Sequence, residues 1–161
     1  MKMMKTYNFY DTSSLLLRAE NLFDNPEEEI IISDITLQEL ENIKESRKSE
    51  DIKASARKLT ALLADNPANY TIYFYRDSYG QAMNANTHTF DLNKNDYKIL
   101  ATAIAYDELE HPDETCFITN DLCLALTANL FFGEDSVLRV YPDAETYVGY
   151  KIISLNDEEM S

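Results

Sequence analysis

The chain predicts an α/β fold: a central, mainly parallel sheet of about five strands in a three-layer arrangement with helices on both faces. Two observations carry that expectation. Short apolar, β-rich runs alternate along the whole sequence with segments of helical period. The composition also suits one domain with a real core, since 161 residues are 45% hydrophobic, with seven Phe and eleven Tyr against only three Gly and four Pro. Strands are expected at 7–10, 29–32 (EIII), 70–75 (YTIYFY), 115–119 (TCFIT) and 136–141 (SVLRVY). Helices are expected near 13–22, 36–47, 51–64, 95–108 and 121–131. Because parallel strands need helical crossovers, both faces of the sheet should be covered. There is no internal repeat. The domain is expected to occupy 1–150, with 151–161 (ending LNDEEMS) as a tail or the start of a linker.

The formal charge of −15, from 29 acidic and 14 basic residues, argues against an extended basic nucleic-acid-binding face. Six of the 14 basic residues nevertheless fall between Lys44 and Lys58. That cluster is either a solvated helix surface or a local ridge facing phosphates, with Arg57 and Lys53 or Lys58 as its contacts. Cys116 and Cys123 form no CxxC pattern and His88 and His111 are isolated, so zinc is not expected and the thiols should be free. No apolar stretch reaches signal-peptide or membrane-span length, which places the protein in the cytoplasm. A homo-oligomer is compatible with everything so far.

In open parallel sheets, ligands bind where strands run into helices, and four such places carry carboxylates. The first strand, YNFY, ends in Asp11-Thr12-Ser13-Ser14, where Asp11 either caps the next helix or faces a ligand. The second strand leads into SDITLQELENI, where Thr36 and Glu39 have the spacing of a capping box. Leu37, Leu40 and Ile43 form its apolar stripe, with Glu39 and Glu41 at either edge. Glu39 lies nearer the helix start, but geometry alone leaves both open.

The stretch 76–95 (RDSYGQAMNANTHTFDLNKN) reads as a long loop. In NKNDYKILATAIAY, Asp96 then continues the i, i+3, i+4, i+7, i+8 face of Ile99, Leu100, Ala103 and Ile104. A carboxylate on a sheet-packing face is unusual. Its plain explanation is the helix N-terminus, yet Asn93 or Asn95 is able to cap that helix. Finally, CFITNDLCLAL runs from a strand through Thr119-Asn120-Asp121 into a helix, with Asn120 or Asp121 as cap.

Four carboxylates gathered at one sheet edge raise one another's pKa, and a divalent cation relieves the conflict. All-oxygen donors select Mg2+ or Mn2+. Such an ion suits phosphodiester hydrolysis. No Ser-His-Asp or Cys-His set competes, and no Gly-rich nucleotide cradle is present.

These blocks resemble the PIN-domain family of metal-dependent ribonucleases: Asp11-Thr12-Ser13, Glu39-Leu40, Asp96-Tyr97-Lys98-Ile99-Leu100-Ala101 and Thr119-Asn120-Asp121, in family order. More narrowly, DTSSLLL, LQELENIK, SARKLTALL, NDYKILATAIAY, FITNDLCLAL and TYVGYKIISLNDEE look like the PIN domain that precedes a PhoH-type ATPase. The resemblance implies a PIN-like fold and an endoribonuclease acting on RNA with Mg2+ or Mn2+. It places the acidic quartet on Asp11, Glu39, Asp96 and Asp121, favours Glu39 over Glu41, gives Thr119, Ser13 and Asn120 supporting roles, and implies a covalently linked ATPase or helicase half. Loop 76–95 matches no motif of the family. Two other readings stand beside it. One is a catalytically silent module of the same fold that binds RNA or a partner protein. The other is a phosphatase with Asp11 as nucleophile, weakened because DTSS lacks a second acid two residues on.

Overall fold

Phe9 and Tyr10 are neighbours in sequence, point to opposite sides of their strand, and are 0% and 1% exposed. That strand must therefore be covered on both faces. In the computed structural model, which describes residues 5–86, 90–110 and 114–140, it is the central one. The elements in order are β1 (Thr6–Tyr10), α1 (Thr12–Leu17), β2 (Glu28–Ser33), α2 (Asp34–Lys44), α3 (Glu50–Asp65), β3 (Tyr70–Tyr73), α4 (Asp77–Asn86), α5 (Asn95–Glu110), β4 (Thr115–Ile118), α6 (Leu122–Ala128) and β5 (Val137–Leu138). The sheet order is β3-β2-β1-β4-β5, and every pairing is parallel. Phe9 lies opposite Ile31 on one side and Phe117 on the other. The expected five-stranded parallel sheet between helical layers is thus present.

Two apolar cores follow from the strand alternation. Phe9, Ile31 and Phe117 pack with Ile99, Leu100 and Ala103 of α5, Met83 of α4 and Leu124 of α6. On the opposite face Tyr10, Ile30, Ile32 and Ile118 pack with Leu15 of α1, Leu40 of α2 and Leu59 and Leu63 of α3. Helix α2 contributes Ile35 to the first core and Leu40 to the second, so it sits across the sheet's carboxyl edge. The chain builds outward from β1 to β2 and β3, then returns to β4 on the other side. The strand order reverses between β1 and β4, where such sheets hold their ligands.

The structure corrects several local expectations. Residues 77–86 are helix α4, not loop. Its apolar face is only Tyr79 and Met83, and Gly80 lowers its intrinsic helix propensity. That glycine is there for contact: a Cβ on it would lie 2.6 Å from Leu92 Cδ1 and 2.8 Å from the Tyr75 hydroxyl. Tertiary packing overrides a weak local preference. The first helix ends at Leu17 rather than 22, and the third strand at Tyr73 rather than 75. The capping box of Thr36 and Glu39 does not form. Ser33 caps α2 by accepting the Ile35 N–H at 3.1 Å, and Thr36 is fully buried inside the helix. The fifth strand is described as Val137–Leu138, and residue 141, His88, His111 and the tail 151–161 lie outside the described residues. Both cysteines are free thiols, and no described helix is long and apolar enough to cross a membrane.

Candidate functional site

Asp11 leaves the end of β1 between two strands, and its backbone N–H donates to the Ile118 carbonyl at 3.0 Å as the sheet ladder's last rung. Its carboxylate does cap α1, accepting the Ser14 N–H at 2.9 Å. It does more than cap. Oδ1 also accepts the Ser14 hydroxyl at 2.6 Å, and Oδ2 accepts the Thr119 hydroxyl at 2.5 Å. The Ser13 hydroxyl lies 3.2 and 3.3 Å from the two oxygens. Asp11 is 3% exposed and Thr119 is 0% exposed. Thr119 also accepts the Asp121 N–H at 3.1 Å, so one hydroxyl ties the β1 acid to the turn after β4.

Glu39 lies one turn into α2 and is held from two directions. The Thr12 hydroxyl is bonded to its Oε1, and the Asn95 amide donates to Oε2 at 3.2 Å. Thr12 in turn contacts the buried Thr36 hydroxyl at 3.0 Å. Glu41 points elsewhere, pairing with Lys44 at 3.3 Å on the outer surface. Asp121 caps α6 through the Leu124 N–H at 3.1 Å, and Asn120 accepts the Val140 N–H at 3.1 Å. Asp96 opens α5.

Asp11, Glu39, Asp96, Asn120 and Asp121 line one open cavity of about 600 Å³, together with Ser13 and Asn95. Asp96 reports their proximity. Its carboxyl is held above the usual carboxylate range, first by desolvation and then by the negative charges of Glu39, Asp11 and Asp121, with Lys94 partly compensating. No described Lys or Arg forms a salt bridge with any of the four acids; the basic side chains that do pair take Glu29, Glu28, Glu41, Glu50 and Glu20.

The donor set therefore suits a hard divalent cation: oxygen ligands only, and negative charge that no described salt bridge neutralises. Among the described residues no three His, Cys, Asp or Glu side chains form a ready-made metal cage. The fit is to an ion that keeps most of its own water and takes one or two carboxylates directly, as Mg2+ does.

The basic residues are placed differently from the expectation. Lys53 and Lys58 pair with Glu50 and Glu20, at 3.5 and 2.5 Å, and neither they nor Arg57 line the cavity. Arg57 and Lys58 are exposed on α3, and Lys53 is half-buried. Lys48, in the polar turn between α2 and α3, is the basic side chain that lines it. Sequence reasoning also passed over Thr12, Ser14 and Asn95 as site-building groups. The available signal was the run of three hydroxyls after Asp11, too many for one helix cap.

Thr119→Val would remove the donor to Asp11 and the acceptor of the Asp121 N–H while keeping the shape. Losing a buried hydrogen bond to a charged group costs about 1.5–3 kcal/mol. At this chain length, the melting midpoint in circular dichroism should fall by roughly 3–12 °C.

An open parallel sheet with an acid-lined cavity at its switch point defines a class of α/β domain that handles ligands at the carboxyl edge. Comparison with known families narrows it: a PIN domain family model matches residues 9–131, and the chain belongs to that family. Among curated proteins none shows significant sequence similarity. Solved structures do share the fold. One is VapBC2 from Rickettsia felis bound to a DNA fragment from their promoter, similar at 16% identity and a TM-score of 0.51 over 86% of this chain and 100% of that one. Another is a domain of a functionally unknown protein from Methanocaldococcus jannaschii DSM 2661, at 14% identity and a TM-score of 0.54 over 94% and 98%.

Proposed function

We propose that this PIN domain is a divalent-metal-dependent endoribonuclease that hydrolyses RNA phosphodiester bonds in the cavity at the β1–β4 switch point. The observation that carries the reading is the convergence of Asp11, Glu39, Asp96 and Asp121 on one cavity where no described basic side chain forms a salt bridge with them, with the charged form of Asp96 disfavoured first by desolvation and then by the other three acids. Asp11, Asp96 and Asp121 are its metal ligands, direct or through water, and Glu39 is a further ligand or the base that orients water. When bound, Mg2+ or Mn2+ supplies positive charge against phosphoryl oxygens and makes nearby water more acidic. Asp11 is fixed for this work by Ser14 and Thr119. The hydrogen bonds from Thr12 and Asn95 that hold Glu39 beside the other acids support the reading of Glu39 as ligand or water-orienting base. Asn120 and Ser13 shape the rim.

The narrower proposal, that the domain works with a covalently linked PhoH-type ATPase, is supported by the resemblance of the motifs DTSSLLL through FITNDLCLAL. A silent module binding RNA or a partner protein is favoured by the net charge of −15 and by the absence of a preformed three-ligand cage among the described residues.

Melting curves and cleavage assays decide. An ion at 100 times its Kd stabilises the folded state by about 2.7 kcal/mol, so the midpoint should rise by roughly 5–10 °C with Mn2+. Labelled RNA should be cut internally with Mn2+ or Mg2+ and left whole in EDTA. No shift at millimolar metal together with intact RNA would sink the nuclease reading. RNA binding without cutting at any metal concentration would select the silent module.

A further inference from the structure

The cavity is larger than the acids need. Besides the acids it is lined by apolar side chains from three helices, Leu16 from α1, Ile43 from the last turn of α2 and Ile52 from the first turn of α3, and by Lys48. Leu16 and Ile43 are partly buried against the second core. Ile52 is 41% exposed, although it continues the stripe of Ala56, Leu59 and Leu63, which are buried beneath it. Asn42 and Ser46 line the same cavity and offer polar groups.

We propose that this apolar end of the cavity is a subsite for one unpaired RNA base next to the scissile phosphate, walled by Leu16, Ile43 and Ile52, with Lys48 meeting a flanking phosphate. The inference rests on the nuclease reading and adds where the substrate's base goes. Three considerations fix the occupant. The apolar lining shares one cavity with the acids, so whatever fills it is covalently close to the group they act upon. A base inside a duplex has both faces stacked and cannot lie on a protein wall, whereas a splayed single-stranded base can. The cavity's size falls within the range of small-molecule sites, roughly 300–1,000 Å³, and suits one nucleotide unit. A flat aliphatic wall accepts any base by its face. Preference among bases would then come from Asn42 and Ser46 at the edge. Lys48 supplies positive charge at a cavity that is otherwise strongly acidic, which suits a contact to a flanking phosphate.

The test uses the full chain and a series of fluorescein-labelled, single-stranded phosphorothioate RNA decamers, each with one nucleotide made abasic. Binding is followed by anisotropy in Mn2+, alongside cleavage of the unmodified decamer. Removing the base at one position should weaken binding by about tenfold, which is what burying roughly 55 Å² of base surface against an aliphatic wall supplies, and at the other positions by less than about twofold. Ile52→Ser, at a half-open surface position, should flatten that profile without lowering the melting midpoint. Lys48→Ala should reduce the slope of log Kd against log salt by about 0.7. A flat abasic profile in the parent chain, a profile unchanged by Ile52→Ser, or no binding of any decamer overturns the subsite. A position-specific profile without cleavage of the unmodified decamer keeps the subsite and removes the nuclease. Cleavage with a flat profile does the reverse.

Discussion

Asp96→Asn should reduce metal-dependent RNA cleavage by at least about 100-fold while leaving the metal-free protein as stable as the parent or more so. Both halves follow from the same electrostatics. At neutral pH Asp96 is one of four acids around a shared cavity, and its ionised form is disfavoured by desolvation and by Glu39, Asp11 and Asp121. Opposing this is its place in the first turn of α5, where a negative charge gains about 0.3–1 kcal/mol from the helix dipole. The upward displacement of its pKa shows that the unfavourable contributions win. A carboxyl whose folded pKa lies above its unfolded value takes up a proton on folding, so it detracts from stability at neutral pH. That deficit disappears as pH falls through the raised value. Asparagine is neutral throughout. The parent should therefore trail Asp96→Asn in calorimetry at pH 7 with EDTA and draw level as the solution is acidified. With millimolar Mn2+ the order should invert, because the variant lacks a ligand. Losing a charged ligand or general base costs about 100- to 10,000-fold in comparable chemistry. Cleavage by the variant within tenfold of the parent would remove Asp96 from the site.

The geometry that makes this substitution informative was partly legible in the chain. Asp96 announced itself by standing on the apolar period of Ile99, Leu100 and Ala103, all of which the fold buries. Asp11 and the Thr119–Asp121 turn were visible as polar breaks at strand ends, and the parallel pairing of β1 with β4 brings them together. Glu39 was ambiguous because a helix face is wide; the third dimension separates it from Glu41 through Asn95, which is 56 residues away in sequence. What could not be read was anything decided by tertiary contact. Helix α4 is held by Met83 in the core and by the close approach of Gly80 to Leu92, neither of which leaves a periodic trace. The basic cluster could not be divided from the sequence: Lys53 and Lys58 pair with acids on α3 itself and in the segment after α1, whereas Lys48 lines the cavity.

Far from the acids in role, though joined to them through α1, Arg18→Met should destabilise the fold by about 3 kcal/mol, the low end for breaking a buried ion pair. Glu28 is the reason. Its side chain is 4% exposed at the start of β2, where it accepts the Tyr10 hydroxyl and, at 2.6 Å, the Asn8 amide. Arg18 brings the compensating charge at 3.5 Å, while its second terminal nitrogen donates to the Tyr10 hydroxyl at 2.6 Å. The Tyr10 phenol is pushed well above its usual pKa, first by burial and then by its bond to Glu28, so it stays a proton donor within the cluster. Arg18 also bonds Asn21 Oδ1 and the carbonyls of Asn21 and Leu22, closing the turn after α1. Methionine keeps the stem's packing and removes every one of those donors, leaving a buried carboxylate without its cation. The low end applies because the Arg18 side chain is 22% exposed and the pair is long. For this chain length the midpoint should drop by roughly 6–12 °C. Glu28→Gln removes the charge and keeps an acceptor, so in the double variant the remaining cost should be smaller than the sum of the singles by about 1 kcal/mol or more. Additive losses would show that water, not Arg18, compensates Glu28. Because α1 is anchored by Asp11 at its start and by Arg18 at its end, coupling between the two residues would also mean that the acidic site depends on a latch at the far end of that helix.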